Sequence, residues 1–194
     1  MSPTSGKPRA VRKAAARPVG AYQNPGAVCA AYDPRAPQAA RLLLRLITES
    51  EPGLAVEHVG SSAVPECDGK GTLDLLVTYA PGGLERAKAV LAGLGFQKQT
   101  GRDPFPEERP MRVGSLEFEG GRFPIHAHVI ARDSAEASEL IRFRDRLHSD
   151  PNLRAAYVAR KREIIRAGVA DSIEYSILKG SFVREALDSD YPGG

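Results

Sequence analysis

The sequence predicts an α/β (α+β) fold in which a β-sheet is flanked by helices and followed by a helical C-terminal segment. Two short apolar runs, residues 54–59 and 73–79, are bounded by Gly and Pro in the manner of buried strands. Residues 111–131 indicate a β-hairpin, because two strand-like segments flank the turn signal Gly120-Gly121. Apolar residues recur at helical spacing around these strands, as in helices that pack on a sheet.

The elements of the first hundred residues follow in chain order. The turn Glu51-Pro52-Gly53 leads from a first helix into the strand at 54–59. The run 73–79 is apolar almost throughout, which predicts a central strand buried on both faces. The other elements expected here are a helix over 37–50, a helix over 83–93 and an edge strand over 96–98.

A loop and three helices complete the predicted architecture. Residues 99–110 hold three prolines and mixed charges, which indicates a flexible loop of the size of a lid. Its Arg102 and Arg109 are expected either to meet phosphate or to remain solvated. The C-terminal helices are expected within residues 134–187, and a capping box of Asp133 with Glu136 is predicted to begin the first of them.

Composition divides the chain into a tail and one domain. Residues 1–31 are rich in Pro, Gly, Ala and Arg and predict a disordered basic tail, which leaves 32–194 as a single domain. Residues 1–32 carry five basic side chains and no acid, so subtracting them from the net +3 leaves −2 for the rest. This charge argues against nucleic-acid binding except through the tail, for which a solvated segment is the other interpretation.

Neither membranes nor disulfides are expected. No apolar run approaches the roughly 20 residues that span a bilayer, and no hydrophobic signal core is present, so a cytoplasmic location is expected. Cys29 and Cys67 lack the spacing of a metal site or a disulfide framework and are expected to be free thiols. A nucleophilic role for Cys67, which lies in the loop between the first two strands, is the minor alternative.

The loop between the first two strands holds the residues of a predicted anion site. Gly60, Ser61 and Ser62 bring backbone N–H groups and two hydroxyls together at the end of a strand, an arrangement that binds phosphate. Lys70 adds a positive charge. Asp74 is a lone carboxylate in an apolar strand, which is costly unless it is paired or bound to a metal. A nucleotide phosphate with Mg²⁺ fits this set; the alternative is a plain turn in which Asp74 caps a neighbouring backbone.

Two further patterns add candidate residues. His126 and His128 alternate along the hairpin's second strand and so share a face, which suits a metal or phosphate site or a purely structural pair. Two Tyr–Lys pairs at helical spacing are Tyr157 with Lys161 and Tyr175 with Lys179. The lysines are expected either to close an anion pocket or to reach water while the tyrosines pack in the core.

These motifs together resemble the GrpB family of the nucleotidyltransferase-fold superfamily. The family pattern H-hydrophobic-G-S-[ST]-x-V-P stands at residues 58–65, followed by Lys70 and, four residues later, Asp74. The H-x-H strand, both Y-x-x-x-K pairs and F-R-D at residues 143–145 also agree with the family. The resemblance covers about residues 32–187 and departs at Ala36-Pro37, where the family has Trp in its opening Y-D-P-x-W. It implies a nucleotidyltransferase-like mixed β-sheet.

The residues and the resemblance together assign roles within one expected cleft. Asp74 and His128 are the catalytic candidates, and Asp74 with His126 is the candidate Mg²⁺ site. The expected phosphate or nucleotide ligands are Gly60, Ser61, Ser62, Lys70, Arg144, Lys161 and Lys179. Ligand binding is expected to depend on Mg²⁺ and on Asp74.

The expected chemistry is incomplete in one respect. Enzymes of the superfamily hold Mg²⁺ with a D-x-D pair and a third acid, whereas residue 76 is Leu here. Glu117 or a histidine would have to complete the site. Two hypotheses follow: a Mg²⁺-dependent nucleotidyltransferase with an unknown acceptor, or a nucleotide-binding, anion-binding or protein-interaction module without the chemistry.

Overall fold

The computed structural model describes residues 17–188, apart from the side chain of Ser172, as one β-sheet with helices on both faces. The strands are β1 Ala55–Val59, β2 Leu73–Tyr79, β3 Gln97–Lys98, β4 Met111–Phe118 and β5 Gly121–Ala131. The helices are α1 Ala36–Ser50, α2 Leu84–Leu94, α3 Ala135–Ser149, α4 Pro151–Arg166 and α5 Ser172–Asp188. The predicted α/β (α+β) class and its helical C-terminal segment are confirmed.

The sheet is mixed, with the strand order β1-β2-β5-β4-β3. β2 and β5 run parallel, and the other neighbours are antiparallel. The central position predicted for β2 holds, since it lies between β1 and β5. In this register Val59, Asp74 and His126 stand opposite one another on three adjacent strands.

The two faces of the sheet pack differently. Leu75 and Ala127 belong to the face that α1 and α2 cover, and they form the main core with residues of those helices. On the opposite face Leu76 and Ile130 pack under α3 through Ala137. The loop after β1 joins a third apolar cluster with α3, α4 and α5. Side chains therefore reach solvent on the α3 face only where these helices leave it uncovered.

The N-terminal segment differs from the sequence-based expectation. Residues 17–31 were assigned to a disordered tail, but they lie along the domain, with Gly20 bridging Ser115 and Ala30 bridging Gly69. Val19 is 3% exposed because Gly114 leaves space for it: a Cβ at residue 114 would lie 2.2 Å from Cγ1 of Val19. Residues 1–16 of the predicted tail and residues 189–194 of the predicted domain lie outside the described residues.

Helix capping was predicted with one error. The cap of α3 is Ser134 rather than Asp133, since the Ser134 hydroxyl accepts a hydrogen bond from the N–H of Glu136. Asp150 caps α4 and Asp171 caps α5. Within residues 17–188 no helix combines the length and apolarity needed to cross a bilayer.

Candidate functional site

Three polar side chains lie on the sheet face opposite α1 and α2. Asp74 is paired with His126 and Leu76 with His128, and alternation along the strands directs Asp74, His126 and His128 to the same side. Nδ1 of His126 is 3.5 Å from Oδ1 of Asp74, and about a quarter of each side chain is exposed (24% and 26%). Asp74 and His128 therefore lie on the same face of the sheet, which one shared cleft requires.

Asp74 is held as an anion. Burial opposes its ionisation, but the interactions with His126, His128 and Lys179 outweigh this effect, so the pKa of Asp74 lies below its usual value. Since Nδ1 of His126 faces this carboxylate, Nδ1 carries the donor proton. The only acid of the described site is therefore already partnered by a protein group.

The Gly-Ser turn packs directly against Asp74. Gly60 has φ +71°, and a Cβ there would lie 2.4 Å from Oδ2 of Asp74, so both the backbone conformation and the space require glycine. Ser61–Ala63 form a single 3₁₀ turn, too short to provide the dipole of a longer helix. Gly69 closes the other side, since a Cβ there would lie 2.6 Å from the Ser61 hydroxyl. The Ser61 side chain therefore lies next to the backbone that leads into Lys70.

Ser62 serves the fold rather than the cleft. Its hydroxyl is buried and donates to the carbonyl of Thr72 at 2.7 Å, so it can only accept from Nε2 of His58 at 2.9 Å. Burial lowers the pKa of His58 to about 4, which keeps the ring neutral. The Ser62 hydroxyl was expected to contact phosphate. Its proton is already donated to the carbonyl of Thr72, the residue before β2, so it has no proton left for a phosphate oxygen.

Two ammonium groups share one aromatic ring beside this turn. Nζ of Lys70 lies 4.4 Å from the ring centroid of Tyr175, and Nζ of Lys179 lies 6.0 Å from it. Burial and the charge of Lys179 lower the pKa of Lys70 to about 8. No ion pair involves either lysine among residues 17–188.

Two other predicted phosphate ligands are engaged elsewhere. Lys161 is 1% exposed, donates to the carbonyl of Asp68 and lies 4.3 Å from the ring centroid of Tyr157. Arg144 donates to Glu57 at 2.7 Å and to the carbonyl of His58 at 3.1 Å. Arg144 thus ties α3 to β1, and Lys161 ties α4 to the loop before β2.

His128 anchors the loop 99–110. Nη1 of Arg109 donates to Nδ1 of His128 at 3.2 Å, while the same guanidinium pairs with Glu136 and stacks on Phe105 at 4.4 Å. Burial lowers the pKa of His128 to about 4. With Nδ1 occupied by a donor, the ring proton sits on Nε2, so His128 is a neutral hydrogen-bond donor and not a general base.

Tyr22 is a site residue that the sequence did not reveal. Its hydroxyl is 2.9 Å from Nε2 of His126, and its N–H donates to Oε1 of Gln97 at 2.9 Å. Burial and the charge of Asp74 raise the pKa of Tyr22. Because Nδ1 of His126 faces Asp74, the Tyr22 hydroxyl is the donor to Nε2, and His126 lies between Tyr22 and Asp74.

The residues present do not fit a two-metal Mg²⁺ site. Mg²⁺ prefers several oxygen ligands, but Glu57, the other acid on the β1–β2 part of this face, pairs with Arg144, and both nitrogens of His126 are engaged. No group of three or more His, Cys, Asp or Glu within residues 17–188 is placed to hold a metal. Glu117 stands four residues beyond Val113, the partner of His126, and pairs with Arg122, so it lies about 13 Å away along β4.

Two surface depressions of the described residues lie away from Asp74. One of about 540 Å³ is lined by residues of α3 between Ser138 and Ser149. A second of about 180 Å³ lies between α3 and the β1–β2 pair, next to Leu76 and Thr78. The cleft over Asp74 is defined instead by its charged and hydrogen-bonding side chains.

Comparisons with known proteins agree with this architecture. UPF0157 protein PA4798 of Pseudomonas aeruginosa is 34% identical over 137 residues, which cover 70% of this chain and 55% of that protein. UPF0157 protein BH1888 of Halalkalibacterium halodurans is 27% identical over 159 residues, 80% of this chain and 78% of that protein. The chain thus spans about half the length of the first relative and most of the second.

Solved structures show the same fold. The crystal structure of the conserved protein GrpB from Enterococcus faecalis superimposes with a TM-score of 0.62 at 19% identity, covering 83% of this chain and 98% of that one. The structure of the GLD-2/RNP-8 complex gives a TM-score of 0.54 at 18% identity, with 79% and 51% covered. Residues 28–189 match the family described as GrpB protein, so the chain belongs to the GrpB family and has its nucleotidyltransferase-like fold.

Proposed function

We propose that the cleft binds a nucleotide or another small phosphorylated molecule through the Gly60-Ser61 turn, Lys70 and Lys179. The observation that carries the proposal is the pair of ammonium groups on the ring of Tyr175, neither of which has an ion-pair partner among residues 17–188. Two like charges held this close repel each other, and a bound anion relieves that repulsion. Phosphate, with several acceptor oxygens, suits two ammonium groups and a serine hydroxyl.

The loop 99–110 acts as a lid in this proposal. Its Arg109 is fixed on His128 and Glu136, whereas its Arg102 reaches Asp171 at the start of α5 at 3.2 Å. The second contact is largely exposed, and such ion pairs contribute about 0–1 kcal/mol. Ligand exchange then requires only that the Arg102 side of the loop opens.

Nucleotidyl transfer with Mg²⁺ on Asp74 is the narrower hypothesis. A site in which Asp74 already faces His126 and lacks the second acid of a D-x-D pair supports binding better than two-metal transfer. We therefore propose a ligand-binding member of the fold, and we propose a cytoplasmic location in which nucleic acid is contacted, if at all, through the basic N-terminal segment 1–31.

A thermal-shift screen with the four nucleoside triphosphates, with and without Mg²⁺, tests the proposal. A ligand at 100 times its Kd stabilises the fold by about 2.7 kcal/mol. The shift should disappear in Lys179→Gln and persist in Lys98→Gln, whose side chain is 71% exposed. If none of the four nucleotides, inorganic phosphate or pyrophosphate raises Tm, the proposal is wrong and a protein-interaction module remains. Pyrophosphate release from a binding nucleotide would establish transfer.

A further inference from the structure

The positive charge that a polyphosphate requires is already present in the cleft as protein groups. Lys70 and Lys179 come from different elements, the loop before β2 and helix α5, yet both ammonium groups lie over Tyr175. The ring itself is only 1% exposed, so its position is fixed by packing. Cation–π contact with a fixed ring holds both charges in place before a ligand arrives.

Both oxygens of Asp74, the acid of the cleft, already contact protein groups. Oδ1 of Asp74 faces Nδ1 of His126, and its Oδ2 packs against the Gly60 backbone, where even a Cβ would be 2.4 Å away. His126 is held in turn by the Tyr22 hydroxyl. Asp74 therefore faces a histidine with one oxygen and the Gly60 turn with the other.

Position 76 removes the second acid. Leu76 is 1% exposed and packs with Val59, Ile130 and Ala137 beneath α3. The second acid of the expected D-x-D pair is thus absent, and the nearby Glu57 is paired with Arg144, whereas Lys70 and Lys179 have no ion-pair partner among residues 17–188. Enzymes of this fold class hold a metal with several acids. This cleft instead offers the two ammonium groups of Lys70 and Lys179, so its charge suits an anion better than a cation.

We propose that the cleft takes a di- or triphosphate group as the free anion, neutralised by Lys70 and Lys179 and without a bridging divalent cation. This inference rests on the proposed function, since it specifies the ionic form of the same ligand. Mg²⁺ then competes with the protein for the ligand. Asp74 is a like charge near the anion, so it weakens binding and does not support it.

Isothermal titration with pyrophosphate and with ATP, in excess EDTA and in excess MgCl₂, tests this inference. We expect binding in EDTA and a severalfold weaker apparent affinity in MgCl₂. Asp74→Asn, which keeps an oxygen for His126, should bind severalfold tighter because a negative charge beside the anion is removed. Lys179→Gln should lose about tenfold or more, and the exposed Asp133→Asn should match the wild type.

The outcomes separate this inference from the proposed function. Binding that appears only with MgCl₂ and is lost in Asp74→Asn overturns the inference and leaves the proposed function intact. Failure of pyrophosphate, ATP and the other phosphorylated probes under both conditions overturns the proposed function and the inference with it. Circular dichroism of each variant confirms that the comparison is made between folded proteins.

Discussion

Replacing Lys70 by Met should make the protein more stable while it removes anion binding. The Lys70 ammonium is partly buried, and the charge of Lys179 repels it. Asp74 and Asp171 attract it, but their effect is smaller than these two. Met keeps the apolar stem over the ring of Tyr175 and removes the charge. The site thus keeps a residue whose charge costs folding free energy.

The size of the effect follows from the pKa. A fall from 10.5 to about 8 corresponds to at most about 3 kcal/mol at 1.36 kcal/mol per unit. Loss of the cation–π contact with Tyr175 gives back about 1 kcal/mol, which leaves a net gain of about 1–2 kcal/mol. For a chain of this length the expected rise in Tm is about 2–8 °C.

The gain should depend on pH with a defined sign. The folded pKa of Lys70 is about 8 and lies below the unfolded value of 10.5, so between these values the unfolded wild type binds more protons. Wild-type stability then rises with pH in this window, while below about pH 8 the full cost of the buried charge remains. The advantage of Lys70→Met is therefore largest near pH 7 and shrinks towards about pH 10.

Thermal unfolding followed by circular dichroism at both pH values measures this difference. Lys98→Met, at a side chain that is 71% exposed, is the matched control and should change Tm little at either pH. A Lys70→Met protein that is less stable than the wild type at neutral pH would refute the reasoning. A gain in Tm that is the same at both pH values would also refute it, because the effect would then not come from the charge.

Two further predictions separate the roles of neighbouring residues in the Gly-Ser loop. Gly60 and Gly71 both have φ +71°, so replacing either by Ala should lower the free energy of unfolding by about 1–2 kcal/mol. Gly60→Ala should lose about 1–3 kcal/mol more, because its Cβ would overlap Asp74. Urea denaturation of both variants measures the difference. Equal losses would mean that the turn does not press on the carboxylate. Ser62→Ala should lose about 1–3 kcal/mol of stability and keep its affinity for pyrophosphate. Ser61→Ala should bind pyrophosphate more weakly with little change in stability. The reverse result would mean that the anion contacts Ser62 and not Ser61.

The sequence predicts the parts of the fold that local patterns encode. β2 was expected over 73–79 and is Leu73–Tyr79, because an apolar run between Gly71 and Pro81 has few other interpretations. The hairpin turn at Gly120-Gly121 and the cap at Asp150 are equally local signals. The same holds for the shared face of Asp74 and His128, which depends on strand alternation and on the parallel pairing of β2 with β5.

Contacts between residues that are far apart in the sequence could not be predicted from such local patterns. Val19 and Tyr22 lie in a stretch without apolar periodicity. Their placement depends on the space beside Gly114 and on the part of β4 that the short strand β3 leaves unpaired, where Gly20 bridges Ser115. The side chains of Ser62 and Lys161 were assigned to phosphate, but each donates to a main-chain carbonyl. Which carbonyl comes within reach of a side chain depends on the path of the loop and not on residue types.

Leu76 links the packing of the domain to the chemistry of its cleft. A carboxylate at this position would be buried among Val59, Ile130 and Ala137, where an unpaired charge costs several kcal/mol or becomes protonated. Changing this residue alone would therefore not restore a pair of metal-binding acids, because α3 would have to move away from the sheet. The contact that attaches α3 thus excludes a second acid at position 76, and the ammonium groups of Lys70 and Lys179 beside the Gly-Ser turn are consistent with a ligand that carries the negative charge itself.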